Sequence, residues 1–217
     1  MSGLQLVDGL AGLLIVTSLM VITAKTPRAS ALLYSLQSLV LVGVFVTLAG
    51  VTGSHELYAW AGTSVVTKVI LVPVLMVRLV GRLDDPKLGS GERISPAVSV
   101  LTAAVVLVLC FWVVSGVTLP SLAATKPALA VSLAHFFLGL AAIVTQRNIL
   151  KQVFGYCLME NGSHLTLALM AAKAPELVEV GIATDAIFAV VILGVLATRI
   201  NRTLGTLDAD QLTSLKG

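Results

Sequence analysis

The residues of this chain best suited to proton chemistry are a few ionisable side chains inside long apolar stretches. In the middle of one stretch, five non-apolar residues stand together at positions 160–164. A charged side chain at the bilayer centre costs about 2.5–3.5 kcal/mol on insertion scales, so such residues are candidates for function by default. The candidates are Lys68, His135, Lys151, Glu160, His164 and Asp185.

The types and depths of these residues predict a proton path. Chains of Glu, Asp, Lys and His are typical of proton relays, because burial and neighbouring charges adjust their affinity for protons. From the helix rise, Lys68 and Glu160 are predicted about 17 and 18 Å from the outer surface, level with each other near the midplane. His135, His164 and Asp185 are predicted to form a shallower layer, about 10–12 Å deep.

Three further residues are expected to support this row. Asn161 belongs to the five-residue run itself. Lys151 lies near the predicted inner end of its helix, where a lysine that extends its ammonium to the interface is favoured. Pro73 has no backbone N–H, which frees the carbonyl of Val69 beside Lys68 and predicts a kinked helix along a hydrated path.

A structural role is the alternative for these groups. Lys68 and Glu160 at the same depth could form a buried ion pair that only fixes helix packing. His135, taken alone, is predicted to be hydrogen-bonded to a backbone carbonyl with no further role. For the set as a whole, function is favoured over packing.

Membrane helices must hold these side chains. Of the 217 residues, 57% are hydrophobic and 12% are charged, whereas a soluble domain has about 25% charged residues. Crossing a bilayer takes about 20 largely apolar residues, and seven stretches qualify or nearly do. They are residues 4–24, 29–51, 57–80, 97–117, 128–145, 148–172 and 178–200. The sequence therefore predicts an all-α membrane protein with about seven transmembrane helices.

The positions of Lys and Arg predict how these helices are oriented, because inner loops carry an excess of both. With the N-terminus outside, ten of the 14 lie on the inner side, two lie on the outer side and two lie within helices. The inner ten are Lys25, Arg28, Arg78, Arg82, Lys87, Arg93, Arg147, Arg199, Arg202 and Lys216. A periplasmic N-terminus and a cytoplasmic C-terminus are predicted. Since the cations occupy short loops and form no patch, nucleic-acid binding is not indicated.

The five-residue run also predicts partner proteins. Consecutive residues step about 100° around a helix, so the run reaches every side. Either protein surrounds this helix or the helix unwinds around Gly162. Because one chain supplies few surrounding helices, partner membrane subunits are expected.

The two cysteines do not indicate a cofactor. Cys110 and Cys157 both lie in apolar stretches and have no CxxC spacing, so each is predicted to be a small buried apolar side chain. The sequence indicates no zinc, haem or iron–sulfur site. No catalytic, metal or cofactor-binding residue is predicted in this chain.

Three strings in the C-terminal part carry a first resemblance. They are QRNIL at 146–150, GYCLMEN at 155–161 and GIATDA at 181–186. The first two resemble the second helix of the small K subunit of bacterial NADH:quinone oxidoreductase, and the third resembles its third helix. This implies a three-helix region at 121–217 preceded by a four-helix extension at 1–120. The K subunit's second-helix acid falls at Cys157, so Glu160 one turn on is expected to replace it, while Asp185 matches the third-helix acid.

A longer resemblance covers the whole chain. Its most specific string is GYCLMENGSHL at 155–165, supported by KPALAV at 126–131 and APELVE at 174–179. These strings resemble the component E family of hydrogenase-4, membrane subunits of formate hydrogenlyase-type complexes. The resemblance implies a multi-pass subunit of the bacterial inner membrane that adds charged residues to a proton-translocating axis and has no redox centre of its own.

The same resemblance implies particular partners. They are antiporter-like membrane subunits, a quinone-site-like subunit, surrounding lipid, and a soluble hydrogenase arm that holds a nickel–iron centre and iron–sulfur clusters. Two alternatives stay open. One is a subunit of a multisubunit cation/proton antiporter, whose C subunit also resembles the K subunit but is shorter. The other is a purely structural membrane spacer.

Overall fold

The structure is a computed structural model that describes residues 2–83, 95–118, 125–173 and 176–212, without the side chains of 176–180, 182–183, 185–186 and 212. The described residues form helices and no strands. The helices are α1 (Gly3–Thr23), α2 (Pro27–Thr52), α3 (His55–Ser64), α4 (Val72–Arg82), α5 (Pro96–Ser115), α6 (Lys126–Thr145), α7 (Ile149–Met170), α8 (Glu176–Leu204) and α9 (Ala209–Leu212). A π-helical turn, Val65–Leu71, joins α3 to α4 in one rod.

The prediction of an all-α membrane protein is confirmed. In the described part of the chain, six helical rods are long and apolar enough to cross a membrane: α1, α2, the α3–α4 rod, α5, α6 and the Ile187–Leu204 part of α8. The seventh long helix, α7, has 22 residues, about 33 Å at 1.5 Å per residue. It carries the five-residue polar run, which keeps it out of the apolar set. The orientation of the termini stays a prediction.

Local sequence signals explain where the helices begin and end. A Ser, Thr or Asn side chain accepts a backbone N–H from the first turn at Ser2, Thr26, Ser54, Ser95 and Asn148. Gly53 ends α2 at a φ of 66°, a conformation that glycine adopts without steric cost. Short connections of this kind make α1 and α2, and also α6 and α7, antiparallel neighbours.

Helices α6 and α7 pack in backbone contact because glycines face the crossing. A Cβ on Gly162 would lie 2.7 Å from Cα of Phe136, and a Cβ on Gly155 would lie 2.8 Å from the backbone nitrogen of Ile143. A Cβ on Gly139 would meet the backbone of Met159. Small residues at helix crossings allow this close approach in membranes. Helix α7 runs unbroken through Gly162, which excludes the second of the two alternatives, local unwinding, and the glycine serves packing instead.

The described surface is apolar along most of the helix length, and the centre of the bundle is partly polar. Helix α5 has few buried residues, and its Trp112 side chain is 74% exposed. In contrast, Ser18, Gln37, Lys68 and His135 are fully buried among five packed helices. This distribution suits a protein whose solvent is lipid and whose polar groups satisfy one another inside.

Candidate functional site

A buried ion pair lies at the centre of the site. Nζ of Lys68 is 2.7 Å from Oε1 of Glu160 and donates a second hydrogen bond, 2.8 Å long, to Oδ1 of Asn161. Lys68 has no exposed surface, and Glu160 is half-buried. The prediction that Lys68 and Glu160 lie level is confirmed. Removing two charges from water is costly, and close pairing with additional hydrogen bonds offsets that cost.

The backbone around Lys68 is a π-helical turn that ends just before Pro73. Proline cannot donate to the Val69 carbonyl. Oγ of Ser35 on α2 donates to that carbonyl instead, at 2.7 Å. The acceptor that the sequence predicted to be free is therefore satisfied, and it fastens the turn that carries Lys68 to α2. Turns of this type occur frequently at functional sites.

A chain of hydrogen bonds continues from Asn161 across the bundle. Nδ2 of Asn161 donates to Oε1 of Gln37 at 2.8 Å, and Nε2 of Gln37 is 3.1 Å from Nε2 of His135. Nδ1 of His135 is 2.8 Å from Oγ of Ser18, which donates to the carbonyl of Leu14. The chain joins the π-helical turn, α7, α2, α6 and α1.

Every bond in this chain donates in the same direction. An amide NH₂ group can only donate, so Nε2 of His135 accepts from Gln37 and Nδ1 of His135 carries the proton that it donates to Ser18. His135 is therefore neutral in this arrangement. The expectation that His135 bonds to a backbone carbonyl is wrong, since both its partners are side chains.

Sequence reasoning missed Gln37 and Ser18, because it searched for ionisable groups and both are neutral. A signal was present for Gln37, which is an amide inside an apolar stretch with no charged residue near it in the sequence. Buried amides at membrane depth nearly always have hydrogen-bond partners. Ser18 offered no such signal, since a hydroxyl can bond to its own helix.

His164 lies one helical turn from Glu160 in an aromatic enclosure. It is 1% exposed, and its ring centroid is 5.1 Å from the rings of both Phe45 and Trp60. Among the described residues, neither ring nitrogen has a hydrogen-bond partner, and the same is true of Trp60 Nε1, Ser64 Oγ and Glu160 Oε2. These atoms belong to α3 and α7, and the contact between the Trp60 and His164 rings joins the two helices. Ordered water commonly satisfies buried polar atoms of this kind.

Lys151 is buried in the bundle, and its position relative to the membrane interface stays a prediction. Its side chain is 7% exposed, and Nζ donates to the carbonyl of Ile22 at 3.3 Å. Nε2 of Gln146 donates to the same carbonyl at 3.2 Å. Ile22 lies in the last turn of α1, where carbonyls have no partner within the helix and a cation is stabilising. Lys151 therefore ties the end of α1 to the start of α7.

Two further features involve α8 and the segment that follows it. Asp185 is part of α8, but its side chain lies outside the described residues. Beyond α8, the chain returns to the start of α7, where Arg147 pairs with Asp208 at 3.1 Å and with Asp210 at 2.8 Å. Arg147, part of the string at 146–150, thus anchors the segment that follows α8.

Comparison with known proteins identifies the family. Residues 127–217 match the family described as NADH-ubiquinone/plastoquinone oxidoreductase chain 4L. The chain is 52% identical to hydrogenase-4 component E of Escherichia coli (strain K12) and of Shigella flexneri, over 100% of each chain. It is 27% identical to an uncharacterized protein of Mycobacterium tuberculosis, over 97% of this chain and 96% of the relative. No solved structure matches it. This chain, with its buried Lys68–Glu160 pair, belongs to the hydrogenase-4 component E family.

Proposed function

We propose that this chain is a membrane-arm subunit of an energy-converting nickel–iron hydrogenase or formate hydrogenlyase-type complex. Its buried charged residues form part of a proton-translocating axis, and its helices scaffold neighbouring subunits. The Lys68–Glu160 pair, buried between the α3–α4 rod and α7, is the observation that carries the proposal. The 52% identity to a hydrogenase-4 component over the full length of both chains supports the assignment to such a complex.

Glu160 is the group on which a proton would be held. Oε1 faces Lys68, and Oε2 has no partner among the described side chains, so one oxygen is open to a proton donor. A proton on Glu160 weakens its attraction for Lys68, which then relies on its bond to Asn161. Charge at the site thus determines how tightly the ammonium is held.

Beyond the ion pair, the side of the site toward Ser18 and the side toward His164 differ in whether they can transfer protons. Toward Ser18, the chain runs through the amides of Asn161 and Gln37, which do not exchange protons readily. Toward His164, the buried polar atoms suit water, which does pass protons. We assign the amide side to positioning Lys68 and the His164 side to proton movement. Asp185 on α8 is a further proposed proton-path residue.

The partners proposed for the chain follow from its family and its surface. They are antiporter-like subunits and a quinone-site-like subunit in the bacterial inner membrane, with lipid around them. A soluble arm would hold the nickel–iron centre and iron–sulfur clusters. The four-helix extension at 1–120 is proposed to join the three-helix region at 121–217 in one bundle, since the polar chain uses helices from both.

A purely structural spacer is the second candidate, because the amide chain is satisfied at every link. The variant Glu160→Gln in the assembled complex separates the two candidates, with hydrogen evolution and proton flux measured in membrane vesicles. A relay predicts that flux falls while the complex stays assembled. Ser163→Ala, at an exposed position three residues along the same helix, is the control and should leave flux unchanged. Normal flux in Glu160→Gln would contradict the relay and support the spacer.

A further inference from the structure

A groove of about 460 Å³ lies between α4 and α8, on the outside of the bundle and away from the polar chain. The two helices touch where Gly194 meets Leu79, since a Cβ on Gly194 would lie 3.1 Å from a methyl group of that leucine. Val191 and Val195 line the groove and are 45% and 57% exposed. The walls along this part are apolar and open to the lipid-facing surface.

One end of the same groove is strongly basic. Its lining includes Arg78 and Arg82 from α4 and Arg199 and Arg202 from α8. Residues four or three apart share a helix face, so each helix presents a pair of guanidinium groups to the groove. All four side chains are exposed. The ion pairs of the described residues join Lys68 to Glu160 and Arg147 to Asp208 and Asp210, so none involves these four arginines.

We propose that this groove binds an anionic phospholipid, with its phosphates on the four arginines and its acyl chains along Val191 and Val195. The order of polarity matches a lipid, because the charges stand at the ends of both helices and the apolar walls extend toward mid-membrane. Basic pockets between membrane helices bind anionic headgroups. Four guanidinium groups, each able to bond a phosphate bidentately, fit a diphosphatidylglycerol with two phosphates better than a lipid with one.

The apolar part of the groove argues against an acidic protein segment as the occupant. It continues into the exposed face of α8, where Ile192 is 62% and Leu196 is 50% exposed. Acyl chains can follow that surface without leaving backbone polar groups in hydrocarbon, as a polypeptide loop would.

Lipid binding to the purified full-length chain in a neutral detergent tests this proposal. Native mass spectrometry would follow titration with diphosphatidylglycerol and, separately, with phosphatidylcholine. We expect much tighter binding of diphosphatidylglycerol. Because each cation near an anionic headgroup contributes about fivefold in affinity, Arg78→Gln with Arg82→Gln should weaken binding about 25-fold, and Arg199→Gln with Arg202→Gln should do the same.

Two control variants separate a built site from a general positive surface. Lys25→Gln removes an exposed cation outside the groove and should leave diphosphatidylglycerol binding unchanged. Val191→Trp fills the groove without changing charge and should weaken binding. If Lys25→Gln weakens binding as much per charge as the arginine changes, or if Val191→Trp has no effect, the proposal is wrong.

A photo-crosslinking amino acid at position 195 extends the test to the assembled complex in native membranes. An adduct with the mass of a phospholipid would support the proposal. An adduct with a partner polypeptide would overturn it, because the groove would then be a protein interface.

Discussion

Lys68 has two acceptors because Glu160 and Asn161 are adjacent on α7 and point to either side of its ammonium. Consecutive helical side chains diverge by about 100°, so a single cation can reach both only from a position between them. Each acceptor then has a separate task. Glu160 supplies the negative charge. Asn161 is neutral, and its NH₂ group donates to Gln37, which fixes the orientation of the Gln37 amide.

Lys68→Ala should destabilise the chain or impair its assembly, because an unpaired buried carboxylate costs about 3–5 kcal/mol more than a paired one. The double variant Lys68→Ala with Glu160→Ala should recover part of the loss. Thermal unfolding in detergent and the yield of assembled complex measure the effect. Lys25→Ala, at an exposed position, is the control, and a double variant no better than Lys68→Ala would contradict a pairing role.

Gln37→Leu should destabilise the protein by about 1–3 kcal/mol for each partner that it leaves unsatisfied. The substitution keeps the size of the side chain but removes the bonds to Asn161 and His135. Unfolding free energy of the purified chain measures the cost. Thr102→Val, an exposed hydroxyl bonded only within its own helix, should change it little. Equal costs for Gln37→Leu and Thr102→Val would mean that the polar chain contributes no stability.

The α6–α7 pair is the element on which the site depends. Three glycines let these backbones touch, and this contact places His135 on α6 and Asn161 on α7 at the correct distance to meet Gln37 from α2. Without that approach the hydrogen bonds would lengthen at both ends. The glycine of the five-residue run is therefore part of the site, although it has no side chain.

Gly162→Ala should destabilise the bundle by about 1–3 kcal/mol, as overpacking commonly does, because the added methyl meets the backbone of Phe136. Gly12→Ala is the matched control, since a Cβ there meets nothing within 4 Å and alanine is the better helix former. Thermal unfolding of the two variants in the same detergent makes the comparison. A Gly162→Ala protein as stable as Gly12→Ala would show that the crossing tolerates a wider separation.

Over the whole molecule, the sequence predicted the helices well because a long apolar stretch in a membrane has few alternatives to a helix. It also predicted that Lys68 and Glu160 lie level, since depth along a helix follows from residue count, and it left their pairing open as one alternative. It did not predict which helices touch, so the partners of His135 and Lys151 were missed. The five-residue run needs less surrounding protein than expected, because the hydroxyl of exposed Ser163 donates to the Met159 carbonyl of its own helix.

The orientation of the molecule is a prediction that labelling can check. His55 and Lys25 are exposed and lie at opposite ends of α2. In intact cells, a membrane-impermeant maleimide should label His55→Cys, and it should label Lys25→Cys only after the membrane is opened. The native cysteines, Cys110 and Cys157, are buried and provide a low background. The reverse pattern would place the N-terminus in the cytoplasm.

Because the hydrogen bonds from Lys68 to Leu14 all donate in one direction, protonation of His135 is coupled to the bond between Lys68 and Asn161. Adding a proton to His135 would require Gln37 to turn its oxygen toward the ring, and Asn161 would then have to turn as well. The NH₂ group of Asn161 would then face the ammonium of Lys68, and Lys68 would lose Oδ1 of Asn161 as an acceptor. A positive charge on His135 and the hydrogen bond from Lys68 to Asn161 are therefore mutually exclusive, although the two residues are joined only through side chains of four helices. By reciprocity, any change that weakens the hydrogen bond from Lys68 to Asn161 also makes it easier to add a proton to His135.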